Sequence, residues 1–137
     1  MSATNTKGRI LVMDDEVFIR SMLLQALSSS GYKVYLSRHG AEAIKLFELA
    51  KKSGRPFDAL IVDLKIKNGM DGSETISRLI KIDPDVKAIV SSSDPYHPAM
   101  LNHRDYGFKD ILPRPFSIKE LQEKVHLLIH EGEEHFN

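Results

Sequence analysis

Three acidic residues, a serine and an arginine stand at the ends of short apolar runs in this sequence of 137 residues. They are Asp14, Asp15, Asp63, Ser91 and Arg114. Carboxylate oxygens are ligands that Mg²⁺ prefers, and hydroxyl and guanidinium groups bind phosphate oxygens. A carboxylate can also act as a nucleophile toward phosphorus. If one fold brings these five side chains together, they could support phosphoryl transfer onto an aspartate.

Apolar runs alternate with helical periodicity along the chain, which predicts five strands and five helices. The predicted strands cover residues 10–13, 33–37, 58–63, 86–91 and 109–113. The predicted helices cover residues 17–30, 41–51, 73–81, 98–106 and a last segment that opens with the capping pattern of Ser117 and Glu120. In the first helix, Val17 and Phe18 belong to the apolar positions that recur at helical spacing. Nearly continuous apolar strands separated by amphipathic helices favour an α/β domain with a parallel sheet covered on both faces.

The carboxyl edge of such a sheet is where ligands bind. Strands one and three end on the acids, strand four ends on Ser91, and strand five runs into Arg114. Like charges about 4 Å apart repel by roughly 4 kcal/mol at an effective dielectric near 20, so clustered acids need a cation. Oxygen ligands suit Mg²⁺, with Asp63 as both metal ligand and nucleophile. The alternative is that Asp14 and Asp15 only cap the first helix and Asp63 is a turn residue.

Composition excludes several classes of protein. Lys plus Arg number 19 and Asp plus Glu number 19, and a formal net charge of zero argues against direct binding of nucleic acid. The absence of cysteine excludes disulfides, thiolate metal sites and thiol catalysis. Residues 1–7 are polar and predicted to be disordered, residues 132–137 form a polar tail, and no apolar run approaches the roughly 20 residues that span a bilayer. We therefore expect a cytoplasmic protein with no membrane segment.

The two acids Asp14 and Asp15, with Asp63, Ser91 and the corner 114–116, resemble the receiver domain of two-component response regulators over residues 8–131. The stretches DLKIKNGMDG and KAIVSSSD are similar to receivers attached to sensor histidine kinases. The resemblance implies a flavodoxin-like three-layer (βα)5 sandwich whose parallel five-stranded sheet has the order 2-1-3-4-5. It also implies a signalling switch rather than a metabolic enzyme. Its partners would be a sensor histidine kinase or phosphotransfer protein, and a downstream effector that the sequence does not name.

The resemblance also implies a role for each site residue. Asp63 would be the phosphoacceptor, and Asp15 and Asp63 would ligate Mg²⁺ directly. Asp14 would ligate it through water, and Lys65 through its backbone carbonyl. Ser91 would bind the phosphate and report on it.

Two residues depart from the family pattern. Arg114 stands where the family has an almost universal lysine, which bears on the efficiency of phosphorylation. Ile111 stands where an aromatic ring is usual, which removes the ring whose inward swing commonly accompanies activation. We expect the switch to act on strands four and five and on the helix that follows strand four.

Other functions stay open at this stage. A pseudo-receiver would keep the fold as an interaction module and lose phosphorylation because of Arg114. A hydrolase with an aspartyl-phosphate at strand one would need two acids separated by one residue, whereas Asp14 and Asp15 are adjacent. His126 and His130 lie one helical turn apart and could hold zinc, although no third ligand is evident.

Overall fold

Five parallel strands form one sheet in the computed structural model, which describes residues 6–131. The strands are β1 (Arg9–Met13), β2 (Lys33–Ser37), β3 (Ala59–Asp63), β4 (Ala88–Ser92) and β5 (Asp110–Pro113). The helices are α1 (Val17–Ser29), α2 (Gly40–Lys52), α3 (Gly72–Ile82), α4 (Pro98–Leu101), α5 (His103–Tyr106) and α6 (Ile118–Ile129). The strand order is β2-β1-β3-β4-β5, with every neighbouring pair parallel. The predicted flavodoxin-like sandwich and its order are confirmed.

Two apolar layers enclose the sheet, because successive side chains of a strand point to opposite faces. In β1, Leu11 and Met13 join the layer formed with α2, α3 and α4, while Ile10 and Val12 join the layer formed with α1 and α6. These four side chains are at most 1% exposed. Helices on both faces explain why the strands read as apolar runs rather than as alternating patterns.

The helix predicted over residues 98–106 is two short helices, so the structure has six helices within residues 6–131 where five were predicted. The break lies at Asn102, whose φ of −124° and ψ of 46° are not helical. Asparagine forms local hydrogen bonds that compete with the helix, and Leu101 is 61% exposed, so little apolar burial opposes the break. Strand four also differs from the prediction, since β4 covers Ala88–Ser92 rather than 86–91.

The first turn of α1 does not enter the core. Val17 and Phe18 are 68% and 76% exposed, and the buried face of this helix is formed by Leu23, Ala26 and Leu27. The helical spacing of the apolar residues in the sequence predicts that both residues belong to the apolar face of this helix. Phe18 instead lines an apolar cleft at the carboxyl edge of the sheet, which Pro115 also lines.

The predicted boundaries of the domain lie near the two ends of the chain. Residues 1–5 and 132–137 lie outside the described residues, and the boundary of the domain at residue 8 stays a prediction. The backbone N–H of Lys7 donates to the carbonyl of Gly31 at 3.0 Å, which joins the start of the described chain to the turn after α1.

None of the helices within residues 6–131 combines the length and apolarity that crossing a membrane requires.

Gly72 allows α3 to begin against the end of β3. A β-carbon at this position would lie 2.7 Å from the backbone oxygen of Asp63 and 2.9 Å from the α-carbon of Leu64. Both are backbone atoms, so neither can rotate away. The close approach therefore requires glycine, and it holds the loop after β3 next to the site.

We expect Gly72→Ala to lower the free energy of unfolding by about 1–3 kcal/mol, because the added methyl group overpacks the junction. Urea unfolding monitored by circular dichroism measures this change. Ser73→Ala, one position further along the same helix, is the matched control and should change stability much less. Equal effects of the two substitutions would contradict the close-approach explanation.

Candidate functional site

Three carboxylates meet at the carboxyl edge of the sheet. Single oxygens of Asp14, Asp15 and Asp63 all lie within 4.8 Å of one another. The pairing of β1 with β3 sets Met13 opposite Val62, so Asp14 and Asp63, which follow these two residues, are neighbours. Asp14 is 1% exposed and Asp63 5% exposed, so water screens their charges poorly. The structure thus brings together the acids that the sequence predicted to converge.

Backbone N–H groups orient these three carboxylates. Asp14 Oδ1 accepts from the N–H of Glu16 at 2.9 Å, and Asp15 Oδ2 accepts from the N–H of Lys67 at 2.9 Å. Asp63 Oδ1 accepts from the N–H of Lys65 at 3.4 Å. The N-cap of α1 is Glu16, with no side-chain cap hydrogen bond. The alternative in which Asp14 and Asp15 only cap the first helix is therefore wrong.

Arg114 directs its guanidinium into the acid cluster. One terminal nitrogen donates to Asp14 Oδ2 in a close ion pair and lies 3.9 Å from Asp63 Oδ1. Its Nε donates to Ser91 Oγ at 3.1 Å. The side chain is 17% exposed, so the arginine is a fixed part of the site. The guanidinium is planar and its N–H donors point in fixed directions, so it can bridge three groups in this way.

Ser91 lies in β4 opposite Asp63 in β3. Its hydroxyl donates to the carbonyl of Leu112 at 2.8 Å and accepts from Arg114, and the residue is 1% exposed. In this arrangement the hydroxyl proton faces β5 rather than the acids. Ser91 could bind a phosphate oxygen after rotating away from Leu112.

Two predicted residues lie at the margin of the site. The Lys65 ammonium forms an ion pair with Asp94 Oδ2 at 3.3 Å and is largely exposed, so only its backbone is near the acids. Ile111 packs against the apolar layer of α2, α3 and α4, and its carbonyl accepts from Lys124. Ile111 therefore contributes packing near the site rather than a polar group.

Two contacts in the site lay outside the sequence prediction. Asp94 follows β4 and pairs with Lys65, and an Asp-Pro pair in a sequence indicates only a turn. Lys67 holds Asp15 through its backbone N–H, and such a contact leaves no signal in residue type.

The His126 and His130 rings lie 4.5 Å apart, but in the described part of the chain only the three aspartates form a group of three possible metal ligands. The zinc interpretation thus has no third ligand within residues 6–131.

The environment of Asp63 raises its pKa to about 7 from an ordinary value of 3.8. Burial is the largest cause, and the negative charge of Asp14 adds to it. The Arg114 guanidinium and the Lys65 N–H act in the opposite direction. A buried carboxylate that is costly to ionise has a strong preference for an added cation.

The response regulator receiver domain family model matches residues 10–126. The chain belongs to this family. Response regulator MprA of Mycobacterium ulcerans is 33% identical over 121 residues, as is that of Mycobacterium avium, and each alignment covers 88% of this chain and 50% of the relative. This receiver chain thus spans about half the length of the curated relatives it matches.

Solved receiver structures share the fold. A CheY-like receiver from Methanospirillum hungatei is 25% identical with a TM-score of 0.79, covering 93% of this chain and 98% of the other. TrrA of Thermotoga maritima, solved in complex with Mg²⁺ and BeF, is 29% identical with a TM-score of 0.73, covering 88% and 98%. The five-stranded topology is therefore that of receiver domains.

The raised pKa of Asp63 predicts how stability depends on pH in metal-free solution. Between the unfolded pKa of 3.8 and the folded pKa of about 7, the folded protein retains a proton that the unfolded chain releases. Stability should therefore fall as pH rises through this range, by up to about 4 kcal/mol. Asp63→Asn removes the ionisation, so its stability advantage over the parent should grow with pH across the same range.

Urea unfolding of both proteins with a chelator, at several pH values, measures this difference. Asp105→Asn on α5 is the matched control, because Asp105 is exposed. The free energy of unfolding of this control should differ from that of the parent by the same amount at every pH. A constant difference between Asp63→Asn and the parent at all pH values would contradict the prediction.

Proposed function

We propose that this receiver accepts a phosphoryl group on Asp63 from the phosphohistidine of a sensor histidine kinase or a phosphotransfer protein. The reaction requires Mg²⁺, and it changes the surface formed by β4, β5 and the helices that follow β4. In this proposal the protein acts in the cytoplasm on a downstream effector protein. It is a switch whose only chemistry is phosphoryl transfer to Asp63 and hydrolysis from it.

The observation that carries the proposal is the position of Asp63. Its carboxylate ends β3, lies among two further acids, and is 3.9 Å from the Arg114 guanidinium. Ser91, with a hydroxyl that can bind a phosphate oxygen, lies opposite it in β4. A nucleophile, a cation and a hydroxyl donor at one edge of a sheet are the groups that phosphoryl transfer to a carboxylate needs.

The residues present fit Mg²⁺. Three carboxylates within 4.8 Å offer oxygen ligands, and burial together with the negative charge of Asp14 raises the pKa of Asp63, so a cation beside it would favour the ionised carboxylate. Asp15 and Asp63 would hold the ion directly, Asp14 through water, and Lys65 through its backbone carbonyl. When bound, the ion would offset the repulsion between the carboxylate and the phosphoryl oxygens. TrrA, a relative of similar fold, was solved with Mg²⁺ and BeF, which supports this assignment.

The transfer is a displacement at phosphorus. An oxygen of ionised Asp63 donates an electron pair to phosphorus, and the bond between phosphorus and the donor's imidazole nitrogen breaks. The imidazole leaves with that electron pair, and an aspartyl phosphate forms. Arg114 supplies positive charge to the phosphoryl oxygens, although its present ion pair with Asp14 must loosen for this to happen.

Ser91 and Arg114 would transmit the change. The Ser91 hydroxyl now donates to Leu112 in β5, so turning it toward a phosphate would break a contact between β4 and β5. Residue 92 leads from β4 toward α4, so this segment would move with Ser91. Because Ile111 carries no aromatic ring, we expect a small rearrangement of this surface.

The pseudo-receiver remains the second candidate, and one observation favours it. Arg114 already neutralises Asp14, and its guanidinium is engaged there rather than free to bind phosphoryl oxygens beside Asp63. Against it, all three acids are in place, and arginine keeps the positive charge of the family's lysine. We therefore propose a slowed phosphoacceptor.

Magnesium binding should depend on Asp15. In a magnesium titration followed through backbone amide chemical shifts, we expect the signals of residues around Asp15, Asp63 and Lys65 to shift. Asp15→Asn should weaken binding on the order of tenfold or more, because one direct ligand loses its charge. The exposed Asp105→Asn is the matched control. If Asp15→Asn binds magnesium as tightly as the parent, the assigned site is wrong.

Arg114→Lys should accelerate phosphorylation of Asp63 by a small-molecule phosphodonor and leave the fold unchanged. A lysine ammonium is a compact point charge, whereas the guanidinium is held between Asp14 and Ser91. Misplacement of a catalytic group by about 1 Å can change a rate on the order of a hundredfold. Time courses with acetyl phosphate and magnesium measure the effect.

Arg114→Ala completes the comparison, because it removes the charge as well as the fork. It should be slower than Arg114→Lys. Equal rates for the parent and both variants would mean that Arg114 takes no part in the chemistry. No phosphorylation of any of the three would favour the pseudo-receiver.

A further inference from the structure

A basic cleft of about 470 Å³ lies at the amino edge of the sheet, opposite the acid cluster. It is formed where β1 and β2 begin and where the chain enters β3. The charged residues that line it are Lys7, Arg9, Lys33, Arg55 and Asp58. Four cations and one carboxylate leave an excess of three positive charges. In a protein whose formal net charge is zero, this is a marked local asymmetry.

The four cations of the basic cleft have no acidic partners in the part of the chain that the structure describes. Within residues 6–131, none of Lys7, Arg9, Lys33 and Arg55 forms an ion pair at 4.0 Å or less. Other cations do form such pairs, for example Lys51 with Asp83 at 3.3 Å. Like charges gathered without partners repel one another, so an anion that enters the cleft relieves this repulsion.

The one carboxylate of the cleft is engaged by the backbone. Asp58 Oδ2 accepts from the backbone N–H of Arg9 at 2.8 Å, and the N–H of Asp58 donates to the carbonyl of Arg9 at 2.7 Å. This pair of hydrogen bonds continues the pairing of β1 with β3. Asp58 therefore has a structural role at the start of β3, although its charge still opposes an anion.

Arg9 is held in a fixed orientation. Its guanidinium lies 4.8 Å from the centroid of the Tyr35 ring and 5.6 Å from that of Phe57, and one terminal nitrogen donates to Tyr35 Oη at 3.2 Å. Its buried Nε has no hydrogen-bond partner in the described structure. An arginine that is already ordered loses little side-chain entropy when it binds an anion.

We propose that the basic cleft binds a small polyanion that carries a chain of two or more phosphate groups. Arg9 provides the fixed guanidinium, and the exposed Lys7, Lys33 and Arg55 close around the remaining oxygens. Several adjacent phosphates match several unpaired cations, whereas a single phosphate would leave most of them unpaired. The site is independent of Asp63 and of magnesium. Inorganic polyphosphate and the phosphate chain of a nucleotide share this chemistry.

Titration of the full chain with tripolyphosphate, ATP and orthophosphate tests the proposal. Metal-free buffer with a chelator at roughly 0.15 M salt keeps the phosphates from reaching the acids through magnesium. We expect saturable amide shifts around Gly8, Arg9 and Asp58, with a dissociation constant for tripolyphosphate below about 1 mM. Orthophosphate should bind at least about tenfold more weakly. Equal affinities for tripolyphosphate and ATP identify the phosphate chain as the recognised part, and tighter binding of ATP identifies a nucleotide.

The double variant Lys33→Glu with Arg55→Glu should weaken tripolyphosphate binding by at least about tenfold. Both side chains are exposed, so the fold should be retained, and a circular dichroism spectrum like that of the parent checks this. Lys45→Glu with Lys81→Glu is the matched control, since it changes the net charge equally at exposed positions outside the cleft. Absence of saturable binding to the parent would overturn the proposal. Equal binding by the two double variants, or orthophosphate binding as tight as tripolyphosphate, would also overturn it.

Discussion

Electrostatic repulsion among three carboxylates is the constraint on which this site depends. The parallel pairing of β1 with β3 places Asp14, Asp15 and Asp63 at adjacent strand ends, with oxygens within 4.8 Å. Burial of Asp14 and Asp63 removes the water that would screen them. Such an arrangement is unfavourable unless cations balance it, so the neighbouring structure is organised to supply positive charge and N–H donors.

The neighbouring elements meet this need in two ways. The backbone N–H groups of Glu16, Lys65 and Lys67 each donate to an oxygen of one acid, and the guanidinium of Arg114, just after β5, binds Asp14. Burial, and after it the negative charge of Asp14, still raise the pKa of Asp63, and one guanidinium among three carboxylates leaves the compensation incomplete. Incomplete compensation suits a site that accepts a divalent cation, because a fully neutralised cluster would gain little from binding one.

Charge is distributed unevenly along the strand direction. Acids gather at the carboxyl edge of the sheet, and the unpaired cations of the basic cleft gather at the amino edge. Equal totals of 19 acidic and 19 basic residues conceal this separation. A parallel sheet produces it readily, because every strand begins at one edge and ends at the other. The same topology that assembles the acid cluster also brings residues 9 and 33 to the opposite edge.

The sequence by itself determined the class of fold and the residues of the acid cluster. Apolar runs that end in Asp14 and Asp63 indicate buried parallel strands, and strand ends meet at one edge, so local pattern was sufficient. The tertiary structure decided what depends on long-range packing. Only the structure shows that Val17 and Phe18 are exposed and that the helix breaks at Asn102. It also shows that Arg114 forms an ion pair with Asp14, which is 100 residues away in the sequence. Local periodicity carries no information on such contacts, because they arise only when distant elements occupy the same space.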